Sequence, residues 1–147
     1  MATINPYLNF NGNCEEAFNF YKSVFGGEFM DIQRFKDVPS EAALPEDEGE
    51  MIMHVALPIG DGNFLMGSDQ PSSMGKVTRG DNVQISIQTD SDNETDRLFS
   101  RLAAGGQVTM ALQETFWGAR FGMLVDKFGI HWMVNQDISQ QNKENNS

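Results

Sequence analysis

The chain has one cysteine, two histidines and only 10 basic residues against 21 acidic ones in 147 positions. A single thiol excludes an internal disulfide framework. Two imidazoles are too few for a facial metal triad unless a carboxylate joins them. The formal charge of −11 counts against nucleic acid, whose phosphates require a basic face, and against an anionic membrane surface. No apolar run reaches membrane-spanning length, and the opening residues, Met1 to Pro6, lack the basic and apolar segments of a signal peptide. These absences point to a cytoplasmic protein. What is present is 39% apolar residues, enough to pack one domain of this length.

The hydrophobic pattern repeats. Ile4, Leu8 and Phe10 alternate with Asn5, Tyr7 and Asn9 in a strand over Thr3 to Phe10. From about Asn13 the apolar positions Cys14, Ala17, Phe18, Tyr21, Val24 and Phe25 fall three and four apart, one face of a helix. Asn13 with Glu16 resembles a capping box, and Gly26-Gly27 stops the helix. Val83, Ile85 and Ile87 restart the alternation, and a second helix begins near Asp92 with Leu98, Phe99 and Leu102 apolar. Glu15, Phe20, Gly26 and Gly27 recur as Glu94, Phe99, Gly105 and Gly106, a constant shift of 79 (94 − 15).

Each half continues in strands. The first half predicts Glu28 to Phe35, Met51 to Ile59 and Asn63 to Ser68, the last two joined at Gly60-Asp61-Gly62. The second predicts Gln107 to Thr115, Ala119 to Asp126 and Ile130 to Gln136. Each half therefore reads β-α-β-β-β, an α+β chain of two modules, about 1–68 and 81–136. A Gly- and Ser-rich linker, 69–80, joins them, an acidic loop from Lys36 to Glu50 is exposed, and a disordered polar tail covers 137–147.

Three motifs in order, NPYLNFNGNCEEAFNFYKSVFGGE, MHVALPIGDGNFLMGSD and WGARFGMLVDKFGIHW, together with the duplication, resemble the PhnB-like branch of the vicinal oxygen chelate superfamily. That superfamily holds glyoxalases, bleomycin-resistance proteins and extradiol dioxygenases. Lys127 departs from the pattern, where relatives place proline in the turn. The resemblance implies a single glyoxalase-like domain whose two mixed sheets curl into a cup, and a homodimer. It also implies up to four cup ligands for a metal, on the first and last strand of each module. Those positions fall on Asn5, Met66, Gln84 and Met133. Amides are weak neutral oxygen donors and thioethers are soft ligands suited to Cu(I), and no carboxylate or imidazole remains in the set to hold a hard or borderline divalent ion, so no catalytic metal and no cofactor is expected.

Candidate site residues follow from strand parity and chemistry. His54 lies mid-strand opposite Met53, Val55 and Leu57. It is either a general base or a histidine satisfied by the backbone. Tyr7, Asn9, Ser86 and Gln88 sit on the polar faces of the two inner strands, and Phe64 and Ser68 share the face of Met66. The resemblance makes these cavity lining. His131 shares the face of Met133. Trp117 either stacks a ligand or packs in the core, whereas Trp132 reads as core. Arg120 either offers a guanidinium fork to an anionic ligand or pairs with one of the acidic residues. Cys14 belongs to the buried helical stripe and has no evident base. No GxGxxG spacing precedes a helix, which counts against a nucleoside cofactor and methyl transfer. The resulting expectation is a small-molecule-binding protein whose ligand is anionic if Arg120 lines the cup. The alternative is a lyase, isomerase or dioxygenase-type enzyme.

Overall fold

A computed structural model describes residues 2–38 and 45–138. Residues 39–44 of the expected acidic loop, and the expected disordered tail beyond Ile138, lie outside the described residues. The chain divides into two compact units, Met1–Thr78 and Arg79–Ser147, and the division falls within the predicted linker.

The first unit runs β1 (Tyr7–Phe10), α1 (Cys14–Phe25), β2 (Asp31–Arg34), β3 (Ile52–Ile59) and β4 (Asn63–Asp69). The second runs β5 (Ile85–Thr89), α2 (Asp92–Ala103), β6 (Gln107–Glu114), β7 (Ala119–Val125) and β8 (His131–Asp137). Each unit is a four-stranded mixed sheet, ordered β1-β4-β3-β2 and β5-β8-β7-β6. The first strand of each lies parallel to the last, and the other pairs are antiparallel. The β-α-β-β-β reading of both halves thus describes the fold. Strand ends differ: β1 starts at Tyr7 rather than Thr3, after Pro6, which has no N–H to donate, and an Ile4 that is 93% exposed.

One face of each sheet is covered by the unit's own helix. In the first unit α1 buries Cys14, Ala17, Phe18, Tyr21 and Val24 and packs on β3 and β4. Val55, Leu57 and Leu65 are the fully buried sheet residues on that face. Each large apolar side chain so buried contributes about 1.5–3 kcal/mol. Gly67 makes the approach possible, because a Cβ there would lie 2.6 Å from Phe18 Cε2 and 2.9 Å from the Leu8 carbonyl. Gly122 plays the same part in the second unit, where a Cβ would stand 2.7 Å from Phe99 Cε2.

The repeat is real but its register changes along the chain. Tyr7 pairs with Met66 as Ser86 pairs with Met133, so the first strands correspond at the shift of 79 (86 − 7). In the helices the buried positions Ala17, Tyr21 and Val24 correspond to Thr95, Phe99 and Leu102, a shift of 78 (95 − 17). The turn from β5 to α2 is one residue shorter than that from β1 to α1. Phe99 is therefore the counterpart of Tyr21, not of Phe20.

Helix capping also differs from the sequence pattern. The Asn13 side chain makes no cap bond to α1. Asp69, buried at the end of β4, does this instead: Oδ1 accepts from Gly12 N and Cys14 N, and Oδ2 from Ile52 N, each at 2.9 Å. Gln136, pairing with Thr89 at the end of β8, is its positional counterpart. Its Nε2 donates to Asp92 Oδ1 and its Oε1 accepts from Thr95 Oγ1, both at 3.0 Å. In α2 the Ser91 Oγ accepts from Glu94 N, a conventional N-cap.

Because Asp69 serves three backbone N–H groups with two oxygens, Asp69→Asn replaces one acceptor with an amide donor. We expect a loss of about 1–3 kcal/mol, seen as a lower urea midpoint with an unchanged slope. A midpoint equal to that of the native chain would contradict this role.

Candidate functional site

Covering one side of each sheet leaves the other, here called the far face. In the first unit, register puts Tyr7 and Asn9 of β1, Phe64, Met66 and Ser68 of β4, His54, Ala56 and Pro58 of β3, and Asp31 and Gln33 of β2 on the far face. The expected residues Tyr7, Asn9, His54, Phe64 and Ser68 are therefore brought together on one surface. Their contacts are specific. Tyr7 Oη lies 3.4 Å from His54 Nδ1, and the two rings stack with centroids 5.9 Å apart. Ser68 Oγ donates to Asn9 Oδ1 at 3.5 Å. His54 Nε2 stands 4.0 Å from Asp31 Oδ2. His54 is half-buried and Tyr7 is 44% exposed, so both rings can meet a solute.

Asp31 and Gln33 were missed by the sequence reading. The available signal was parity, because they alternate with Ile32, which shares the face of Val55. Among the strand residues of this far face Asp31 is the one carboxylate, and no lysine or arginine is present.

In the second unit the far face carries Ser86 and Gln88 of β5, His131, Met133 and Asn135 of β8, Phe121 and Met123 of β7, and Met110 of β6. Met110, Met123 and Met133 stand side by side across three strands, a deformable apolar row. Asn135, also missed, donates from Nδ2 to Gln88 Oε1 at 2.8 Å. His131 is half-buried at the start of β8, on the far face beside Met133, as its parity predicts. Trp117 is 57% exposed in the β6–β7 hairpin, against Phe116 and 6.4 Å from Phe121. It is not core, and its ring lies beside Phe121 of the far face. Trp132 is core, its Nε1 donating to the buried Asp126 Oδ2 at 2.9 Å. Asp126 Oδ1 also accepts from Phe128 N and Ile130 N. The carboxylate thereby holds the turn that contains Lys127.

Arg120 is placed elsewhere. It pairs with Gln136 and so lies on the face that α2 covers, where Nη2 bonds Asp96 and Nη1 stands 4.0 Å from Asp92. The reading of Arg120 as cavity lining is corrected, and its ion-pair alternative is the observed one. Arg34 in the first unit likewise reaches back to Glu15 of α1, whose hydrogen bond pushes the guanidinium further up in pKa. Each unit thus clamps its helix with an arginine. Cys14 is fully buried, and burial, reinforced by nearby Asp69 and then Glu15, pushes its thiol up, the reverse of an activated nucleophile.

The four positions implied for a metal do not make a site for a divalent ion. Asn5 Oδ1 already accepts from Phe64 N at 3.1 Å, Gln84 is exposed ahead of β5, and Met66 and Met133 offer thioethers. Among the described residues no three His, Cys, Asp or Glu side chains converge. The donor set does not fit a divalent ion. No helix among the described residues is long and apolar enough to cross a membrane.

Known proteins agree with this geometry. The model of a family described as 3-demethylubiquinone-9 3-methyltransferase matches residues 2–135. Protein PA1353 from Pseudomonas aeruginosa is 42% identical, with 93% of this chain and 98% of that one covered and a TM-score of 0.82. Protein YjdN of Escherichia coli is 34% identical over 90% of this chain and 93% of its own. The PhnB protein from Bacillus cereus is 27% identical, with 92% and 99% covered and a TM-score of 0.71. At the level of fold alone, a glyoxylase/bleomycin resistance protein/dioxygenase domain from Frankia sp. EAN1pec matches at 14% identity over 93% of this chain and 98% of that one, with a TM-score of 0.67. With both units built on the glyoxalase-like pattern and the family model spanning them, the chain belongs to the 3-demethylubiquinone-9 3-methyltransferase family, in its PhnB-like branch.

Proposed function

We propose that the protein binds a neutral, hydrogen-bonding small organic molecule on the far face of its first sheet. One observation carries this reading: that surface gathers Tyr7, Asn9, Gln33, His54 and Ser68 beside apolar Phe64 and Met66, and its described strand residues include no arginine or lysine. A few directed polar groups on an apolar ground suit a compact polar solute. The anionic ligand first expected rested on Arg120, whose guanidinium is engaged by α2. The family's description names methyl transfer, but the turns opening α1 and α2, Asn11–Asn13 and Asp90–Ser91, contain one glycine, Gly12. They therefore lack a glycine-rich cradle for a nucleoside cofactor, and the reading adopted is binding.

The same reading takes the protein as cytoplasmic and homodimeric. Support for pairing comes from β6, an edge strand with no strand neighbour on its outer side among the described residues, which a second copy could cover. Light scattering should give about twice the 16.4 kDa chain mass at micromolar concentration. A monomer persisting at high concentration would refute it.

The binding reading is tested by a thermal-shift screen of neutral polyols and hydroxyketones beside carboxylates and phosphonates. Stabilising compounds should be neutral, and Asn9→Ala or Ser68→Ala should weaken them by roughly five- to tenfold. Arg120→Ala should lower the melting temperature while leaving affinity unchanged. Anionic compounds whose binding disappears in Arg120→Ala would overturn the proposal.

A further inference from the structure

The far face of the first sheet orders its polar groups as well as exposing them. Tyr7, Met66, Ala56 and Asp31 form one row across β1, β4, β3 and β2. His54 starts one row away, beside Gln33, yet its ring spans the first row's two ends. Nδ1 faces Tyr7 Oη at 3.4 Å, and Nε2 faces Asp31 Oδ2 at 4.0 Å. Diagonal neighbours on a sheet lie within reach of an aromatic side chain, and the single methyl of Ala56 leaves the ring room to extend. Both separations are at the long end of contact, and proton-transfer contacts commonly shorten as a molecule closes over them.

We propose that Tyr7, His54 and Asp31 form a proton-transfer row acting on a neutral carbonyl compound bound as in the preceding section, on which reading this inference rests. The row requires one arrangement of its hydrogens. Tyr7 Oη–H donates to Nδ1, so the neutral ring carries its own proton on Nε2, towards Asp31. A base that acts through a phenol hydroxyl needs a carbon acid activated by a neighbouring carbonyl, which sets the substrate class as an enolisable compound. A proton leaves the compound for Tyr7 Oη while the tyrosine proton passes to His54 Nδ1. The resulting imidazolium stands opposite the Asp31 carboxylate, and the compound becomes an enolate. Return of the proton by the same route, to carbon or to oxygen, regenerates the neutral row. Only X–H bonds break and form, and no oxidant or second reactant is needed. Tyr7 meets the compound, His54 holds the proton, and Asp31 is a positioning residue that selects the tautomer.

The presence of only two histidines makes the test direct. In the full chain labelled with nitrogen-15 histidine, the His54 ring should show a protonated Nε2 and an unprotonated Nδ1 in its neutral form. Tyr7→Phe and Asp31→Asn should each redistribute that tautomer, and Asp31→Glu should restore most of it. Ala56→Leu should disturb it by displacing the ring, while His131 stays unchanged throughout as the internal control. A neutral His54 protonated mainly on Nδ1, or tautomer populations identical in native, Tyr7→Phe and Asp31→Asn proteins, would overturn the row. This measurement needs no ligand, so its failure is distinct from failure of the binding reading. The transfer itself is read from deuterium uptake by dihydroxyacetone in heavy water. Native protein should exceed Tyr7→Phe by roughly tenfold or more. Equal rates in the two proteins would overturn the proton-transfer step.

Discussion

The fold depends on a buried polar side chain at the end of each unit's last strand. Asp69 gathers the N–H groups of Gly12, Cys14 and Ile52, fixing the start of α1 to both β4 and the entry of β3. Gln136 performs the equivalent task through Asp92 and Thr95 of α2. A buried carboxylate is costly unless its lone pairs are filled, so satisfying Asp69 and seating the helix are one event. Once the helix is seated, Phe18 drops over Gly67 and Phe99 over Gly122, and one side of each sheet is closed. Everything a solute could touch on the sheets is then on the other side.

That division explains why the two units share a frame and differ in surface. The same parity that buries Val55, Leu57 and Leu65 turns His54 and Ser68 outward in the first unit. In the second it turns out Met110, Met123 and Met133 with Gln88 and Asn135. The first far face brings Tyr7, His54 and Asp31 together, while the second offers adaptable thioethers beside His131. Charge is segregated as well. Arg34 and Arg120 both serve the helix side, so among the described strand residues neither far face carries a guanidinium, which shapes the kind of molecule they suit.

Most of this was legible in the chain wherever the information was local. Alternation and three-four spacing give the elements, and the motif order gives the family. Parity groups Tyr7 with Asn9 and Phe64 with Ser68 within their strands, and the sheet pairing joins both groups to His54. Arg120 stands an odd number of positions from Met123, so parity argued for the helix side, but its place after Trp117-Gly118 drew attention to the cavity instead. Other features had no local trace. Asp69 and Cys14 are 55 positions apart, and nothing near Asn13 signals that a distant carboxylate takes over its cap. The one-residue change in repeat register is set by turn length, which matching residue names conceal. Asp31 gains significance only through the sheet pairing that brings it to the His54 ring.

The central claim is that the far face, and not the helix-covered face, receives the solute. Methyl labelling of methionine and leucine reports on it directly, because Met66 lies on the far face and Leu57 and Leu65 are buried on the helix-covered one. Titrating any stabilising neutral compound should move the Met66 methyl signal in proportion to occupancy while those of Leu57 and Leu65 hold still. A titration that moves Leu57 and Leu65 and leaves Met66 unchanged would contradict the account.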